Sequence, residues 1–331
     1  MQMQRIPGAR RRAMQAACVL IATLVGGGPA CAQSFPDRAI RVVVPFPPGG
    51  LIDASMRALA PKMSEVLGQP LVIDNKGGAG GTIGIADVAR SPADGYNLIF
   101  ANESVTLAPF IYRTPGFDPV RDFAPITEVL SVPIAILVHG TLPVYTVKDL
   151  IAWSHAHPGT VSAGSGGVGT ATHLCLEALK SVTGADYVHI PYKGAGPAFT
   201  DFLAGQTQLF AVSTSLSAPQ VKAGKIRAIA VASPKRAGNL PDVPTIAEAG
   251  FGALEYSTWM GMLAPVGTPA AVIGRIRDAA VVALQDTANH RRFTEQGLEV
   301  LGTSPEEFKR FVVSETAKFG KAVAIAGIKP E

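Results

Sequence analysis

The amino-acid sequence predicts an α/β protein built as two lobes, with two crossover segments between them. Two observations carry that reading. Short apolar, β-branched runs alternate with segments of helix length, the pattern of strands covered on both faces in a parallel sheet. The alternation also runs through two successive units of about 110 residues, more than one doubly wound sheet is expected to hold. With 47% apolar and 16% charged residues, the chain is globular rather than disordered.

The first unit opens with a strand over 40–44 (IRVVV), followed by Pro-Phe-Pro-Pro-Gly-Gly and a helix over 52–66 with Ala54, Ala58 and Leu59 on one face. A strand over 71–74, a glycine-rich turn over 75–81, a helix over 82–90 and a strand over 97–101 follow. The second unit reads as a strand over 133–138 and a helix over 146–156, then a strand over 161–163 and a helix over 170–183. It continues with strands over 187–190, 208–212 and 226–232, separated by helices over 195–204 and 218–223. After a loop-rich stretch over 239–252, a strand over 258–264 and two helices over 270–284 and 305–324 close the chain. If these last elements return to the first lobe, the chain crosses near 137–142 and 255–263. The expected organisation is residues 1–32 as a leader, 33–138 plus 259–331 as one lobe, and 139–258 as the other.

The leader rests on Arg5, Arg10, Arg11 and Arg12, an apolar run from Ala13 to Val25, and Ala30-Cys31-Ala32. That is the pattern of a secretory signal peptide cleaved after Ala32, too short in its apolar part to span a bilayer. The surroundings of the arginines do not fit a twin-arginine signal, and Gly28 does not suit lipidation of Cys31. Removing four arginines from 29 cationic residues leaves 25 against 25 acids, so the excess of positive charge belongs to the leader. Nucleic-acid binding, which needs a cationic face, loses its support. Cys175 is then the only cysteine left, on the apolar face of a helix, and is expected to be buried rather than reactive.

Two loops carry the candidate chemistry. The first contains Phe46, Pro48, Gly49 and Gly50, with Asp53 in the first turn of the helix that follows. Prolines stiffen such a loop, glycines let backbone N–H groups converge, and the helix N-terminus adds positive dipole, so a carboxylate is a natural guest. A rigid turn with Asp53 as a dipole partner is the alternative. The second loop, Gly-Ser-Gly-Gly-Val-Gly-Thr, holds Ser165, Val168, Gly169 and Thr170, with His173 in the next helical turn. It suits a second polar or anionic group. Its G-x-G-x-x-G spacing is a weak dinucleotide match, because the acidic residue about twenty positions on, Asp186, opens its strand. Ser165 is flanked by glycine as in a hydrolase elbow, but Ala163 breaks G-x-S-x-G. No Cys/His spacing supports a metal site.

Spaced along the chain, VVVPFPPGGLID (42–53), LAPKMSEVLGQPLVIDNKGGAGG (59–81) and ADGYNLIFA (93–101) are joined by FDPVRDFAPIT (117–127) and GSGGVGTATHL (164–174). HIPYKGAGPAFTDFLAGQ (189–206), LPDVPTIAEAG (240–250) and GMLAPVGTP (261–269) continue the series. With these the sequence closely resembles the Bug family, the substrate-binding components related to tripartite tricarboxylate transporters. The resemblance implies a two-lobed periplasmic binding fold of type II-like form, no enzymatic activity, no cofactor and no metal. It also implies a periplasmic monomer that passes a small carboxylate ligand to membrane transporter subunits. In that family the two loops face each other across the cleft. Where many relatives have Asp-Asn, this chain has Val212-Ser213, and Glu103, beside Asn102 at the tip of the strand over 97–101, replaces a small residue. A Glu103 that points into the cleft is expected to repel a second carboxylate or to accept a hydrogen bond. The expected ligand is a mono- or dicarboxylate, aromatic acids included. An exported serine hydrolase using Ser165 and a ligand-sensing co-receptor are the alternative functions.

Overall fold

The computed structural model describes residues 35–192, 194–252 and 254–330; the expected leader, its cleavage point after Ala32, Cys18 and Cys31 lie outside the described residues. From Arg38 onward the chain forms one compact unit. In chain order it comprises β1 (Ile40–Val44), α1 (Leu51–Leu67), β2 (Leu71–Asn75), a 3-10 turn (Ala79–Gly81), α2 (Thr82–Ala89), β3 (Asn97–Ala101), α3 (Ser104–Ile111) and β4 (Phe123–His139). Next come α4 (Val147–Ala156), β5 (Ser162–Ser165), α5 (Ala171–Thr183), β6 (Val188–Pro191), α6 (Ala195–Leu203), β7 (Leu209–Ser213), α7 (Thr214–Lys222) and β8 (Ile226–Val231). The last elements are β9 (Ser257–Pro265), α8 (Ala270–Gln285), α9 (Thr287–Glu295), β10 (Glu299–Val300) and α10 (Pro305–Ile325).

The strand order is β2-β1-β3-β9-β4-β7-β5-β6, with β8 and β10 also paired to β4. The wings are parallel, as the alternating sequence predicts: β1 pairs with β2 and β3, and β5 with β6 and β7. The centre is not. β9 runs antiparallel to β3 and β4, and β4 antiparallel to β7 and β8. The reason is topological, because β4 carries the chain out of the first region and β9 carries it back in the opposite direction. The sheet is therefore mixed, which corrects the expectation of a parallel one.

β4 also corrects the strand expected over 133–138. It spans 17 residues, and its first half looked like loop because Pro125, Thr127 and Glu128 interrupt the apolar run. Register shifts between Pro125 and Thr127 and between Glu128 and Leu130 absorb those residues. Up to Pro133 the strand pairs with β9, and from Ile134 it pairs with β7. At this exchange Ile134 N donates to Tyr256 O at 3.1 Å, Tyr256 N to Ala232 O at 2.9 Å and Ala232 N to Ile134 O at 2.8 Å. The first change of region thus falls several residues earlier than the 137–142 expected from counting elements. α3 was not foreseen, since Pro109 sits inside it. α9 was missed because Asp286, which caps it through Ala288 N and Asn289 N, reads as the end of the preceding helix.

One core packs β1, β3 and β9 against α2, α3 and α10 through Val43, Ile85, Ile99, Trp259 and Phe308, all with no exposed surface. Gly261 keeps this packing possible, because a Cβ there would lie 2.2 Å from the Phe308 ring. In the other region Ile136, Leu150, Leu174, Cys175 and Leu209 form a second core. Cys175 is buried as expected, and burial pushes its thiol up to about 12.

Candidate binding cleft

The parallel strand β1 ends where its backbone must turn back over the sheet, and Pro45-Phe46-Pro47-Pro48-Gly49-Gly50 makes that turn with Gly49 at φ +90°. Asp53 braces the loop from behind. Its carboxylate accepts from Gly49 N at 2.9 Å, from Arg57 Nε at 2.9 Å and from Asn75 Nδ2 at 2.9 Å. Asn75 also donates to Phe46 O at 3.1 Å and accepts from Arg57 Nη2 at 2.8 Å. Asp53 is buried, which by itself raises its pKa, but the bonds from Arg57, Gly49 and Asn75 outweigh burial and hold it below its ordinary value. Asp53 was expected as a ligand residue; with its oxygens spent inside the fold, the structure makes it a brace instead. The Gly49 N–H is spent on it too. By helix geometry, the N–H groups of Leu51 and Ile52 at the start of α1 have no intrahelical partner, but neither residue lines the cavity between the loops.

The opposite loop is braced by neutral groups. Ser165, fully buried, accepts from Gly167 N at 3.1 Å and shares a 2.6 Å hydrogen bond with His189 Nε2. His189 stacks on His173 with ring centroids 3.8 Å apart, and His173 Nδ1 accepts from Gly169 N at 3.1 Å. Because Nδ1 is an acceptor, the proton of neutral His173 sits on Nε2, which lies 3.6 Å from Glu177 Oε1. Burial, with His189 beside it, lowers His173 to about 4; burial lowers His189 as well. Thr170 Oγ1 donates to Gly167 O at 2.8 Å and accepts from His173 N at 3.3 Å, capping α5. Ser165 and His173 therefore shape the loop from behind rather than face a ligand. The freely available loop amides expected here are mostly internal: those of Gly166, Gly167, Gly169 and Thr170 are bonded to Thr172 Oγ1, Ser165 Oγ, His173 Nδ1 and Gly167 O. Among the described residues, Val168 N and the first-turn amides of Ala171 and Thr172 stay open.

His189 was missed in the sequence. It stands opposite Ala163 in the β5–β6 ladder, which puts its ring beside the end of β5, where Ser165 sits. A histidine alternating outward from a strand next to one ending in Gly-Ser was the signal available.

Between the loops lies a cavity of about 230 Å³. Phe46 and Gly80 line one side, Val168, Gly169, Thr170 and Ala171 the other, and Asn102, Glu103, Ser104, Leu107, Ala108, Ile111 and Tyr112 form the floor. The structure thus brings together Phe46, Asn102, Glu103, Val168, Gly169 and Thr170 from the expected set. α3 supplies most of the remainder and escaped notice because the helix itself did. Pro48, Gly49 and Gly50 are exposed on the loop but do not line the cavity. Val212 and Ser213 do not line it either. Alternation along β7 turns Val212 to the same side as Phe210, into an apolar cluster with Ala198, Phe199 and Phe202. Ser213 Oγ bonds Ser215 Oγ at 3.1 Å. The walls touch at one edge, where a Cβ on Gly169 (φ +74°) would lie 2.5 Å from Ile111 Cδ1.

Glu103 needs its own description. It is 9% exposed, and its Oε2 has no hydrogen-bond partner among the described residues, nor does the neighbouring Ser104 Oγ. Burial pushes its pKa to about 8 against the hydrogen bond from its own backbone amide, with Glu315 on α10 raising it further and Lys318 lowering it. The expectation of a carboxylate that repels anions assumed an ionised group. Burial instead favours the uncharged acid, which donates.

A mixed α/β sheet with two crossover strands and a cleft between glycine loops defines a two-lobed solute-binding fold. The sequence matches the tripartite tricarboxylate transporter family receptor over residues 55–328, and the chain belongs to that family, a family of periplasmic receptors. It is 34% identical over 313 residues to the protein BugT of Bordetella pertussis, covering 94% of this chain and 96% of that one. Among solved structures, it is similar to an R. palustris protein determined with adipate (36% identity, TM-score 0.78, 90% of this chain and 100% of that one). It is also similar to MatC from Rhodopseudomonas palustris with bound malate (28% identity, TM-score 0.73, 87% and 100%).

Proposed function

We propose that this protein captures a small carboxylate-bearing solute in the cleft between loops 45–50 and 165–170 and hands it to the membrane subunits of a tripartite tricarboxylate-type transporter. The observation that carries the reading is one cavity lined by Phe46 of the first loop and by residues 168–171 of the second, where the open first-turn amide of Ala171 lies, with no Lys or Arg among its lining residues. Adipate and malate in the R. palustris relatives support a carboxylate, with mono-, di- and aromatic acids as the class to screen. Phe46, Asn102, Glu103, Val168, Gly169 and Thr170 are the contact residues of this reading; Pro48, Gly49, Gly50, Asp53, Ser165 and His173 hold the loops in shape. The lobes are 33–138 plus 259–331 and 139–258 in outline, supported by the change of strand partners at Ile134. The receptor is exported as a monomer after cleavage behind Ala32. A hydrolase using Ser165 is disfavoured by its full burial.

A thermal melt across a panel of mono-, di-, tri- and aromatic carboxylates and amino acids tests this. A cargo at about 100 times its dissociation constant stabilises the protein by roughly 2.7 kcal/mol. Stabilisation by ordinary α-amino acids alone would overturn the reading.

A further inference from the structure

We infer that Glu103 meets the second carboxylate of a two-headed cargo as a neutral acid, donating its own proton in the hydrogen bond, and so sets the preference of the cleft for dicarboxylates. This rests on the cleft being a carboxylate site and adds what holds the far end of the ligand.

The geometry leads there in three steps. First, Glu103 lies at the start of α3 on the cavity floor, buried, with Oε2 unpartnered among the described residues. A buried carboxylate with one oxygen unpartnered is costly to ionise, and burial outweighs the bond from its own backbone amide. Second, among the described residues facing it no cation is free to compensate it. The charged groups facing Glu103 from α10 are Glu315, which repels, and Lys318, which is already paired with Glu315 and donates to Glu255 O at 2.9 Å. From the other walls of the cavity, Phe46, Gly80 and residues 168–171 bring no ionisable group, and on the floor Tyr112, just past the end of α3, is the other ionisable side chain. Third, a neutral carboxyl must place its O–H against an acceptor. Ser104 Oγ beside it is likewise unpartnered, and the Asn102 Oδ1 already accepts from Ser104 N at 3.2 Å. An incoming carboxylate supplies the missing acceptor, and the resulting O–H···O⁻ bond is of the strong, charge-assisted kind. The proton stays on Glu103 or is shared across the bond, so no charge is created in the buried site.

The consequence is a pH dependence confined to two-headed ligands. Ionisation of Glu103 places like charges face to face, so dicarboxylate affinity falls as pH rises through about 8. Titration calorimetry of the purified protein with succinate and adipate, against butyrate and hexanoate, reads it directly. Between about pH 7 and about pH 9, dicarboxylate affinity falls about tenfold, while that of the monocarboxylates stays level. In Glu103→Gln the amide keeps a donor and cannot ionise, so its dicarboxylate profile is flat and at about pH 9 it binds roughly tenfold tighter than wild type. Dicarboxylate affinity that is level or rises with pH in the wild type overturns the inference, as does an unchanged profile in Glu103→Gln. Both outcomes leave the cleft a carboxylate site if the acids still bind. A protein that binds neither class of acid at any pH removes the carboxylate reading itself, and this inference with it.

Discussion

Loops 45–50 and 165–170 share a plan: each joins a strand to a helix start and lines the cleft. Their braces differ in kind. Behind the first, an ionised Asp53 ties together Gly49, Arg57 and Asn75. Behind the second, Ser165 and two stacked neutral histidines do the same work without a formal charge. An ionic brace is held by opposite charge and fails only when the carboxylate is protonated. A brace of buried neutral imidazoles loses stability from about pH 6.5 downward, because the unfolded chain takes up protons there while the folded one does not. The two walls of one cleft are therefore expected to respond to acid separately.

The largest expected effect tests the ionic side. Asp53→Ala strands the Gly49 amide and the Asn75 amide group and leaves Arg57 without its carboxylate, bonded only to Asn75 Oδ1. Because Arg57 is half exposed, the loss is expected at about 2–4 kcal/mol in urea denaturation rather than the full cost of a broken buried pair. Ser165→Ala on the other side is expected to cost less, about 1–2 kcal/mol, and to weaken carboxylate binding by a modest factor. A reversal of that order would show that the neutral brace is the stronger one. Between these lies Gly169→Ala, expected to destabilise by about 1–3 kcal/mol and to weaken ligand binding, from a left-handed backbone and the collision with Ile111. Adding Ile111→Ala removes the collision and should recover part of the affinity in titration calorimetry; no recovery would place the whole effect in the backbone.

The smallest effect separates the braces by pH. His173 has a folded pKa of about 4, below its unfolded value of 6.5, so the unfolded chain takes up protons first. Stability is present above 6.5 and is lost as pH falls from there toward about 4. Asp53, held below its ordinary 3.8, stays ionised throughout that window. Replacing His173 by Gln should therefore remove part of the stability slope, a change of under about 1 kcal/mol near pH 6, whereas Asp53→Ala should leave the slope intact. Denaturation midpoints measured across that range decide it.

Much of the fold was legible because the wings of the sheet obey simple rules. Ile40–Val44 and Asn97–Ala101 are short runs, apolar apart from Arg41 and Asn97 and bounded by turns, and both form as read. The centre was illegible for a reason that is itself physical. In β4, prolines and a buried glutamate break the hydrophobic pattern, and the strand survives because β9 holds it through two register shifts. That is a tertiary decision no local window contains. The cleft followed the same division. Glycine loops after strands were visible in the sequence, whereas the floor on α3 was hidden by Pro109. The function of Asp53 depended on Asn75, 22 positions away, whose approach only the β1–β2 pairing creates.

β4 has a further consequence for how such a chain can change over generations. One continuous strand serves both regions, pairing with β9 up to Pro133 and with β7 and β8 from Ile134. Because side chains alternate along it, inserting or deleting a single residue near this junction would turn every later position of the strand to the opposite face. The apolar residues Ile136 and Val138 would trade places with Leu137, and two separate cores would be wrong at once. Length variation among descendants should accordingly collect in the loops around 140–145 and 233–243, leaving the junction at a fixed length, so that it serves as the ruler against which both halves of the molecule are measured.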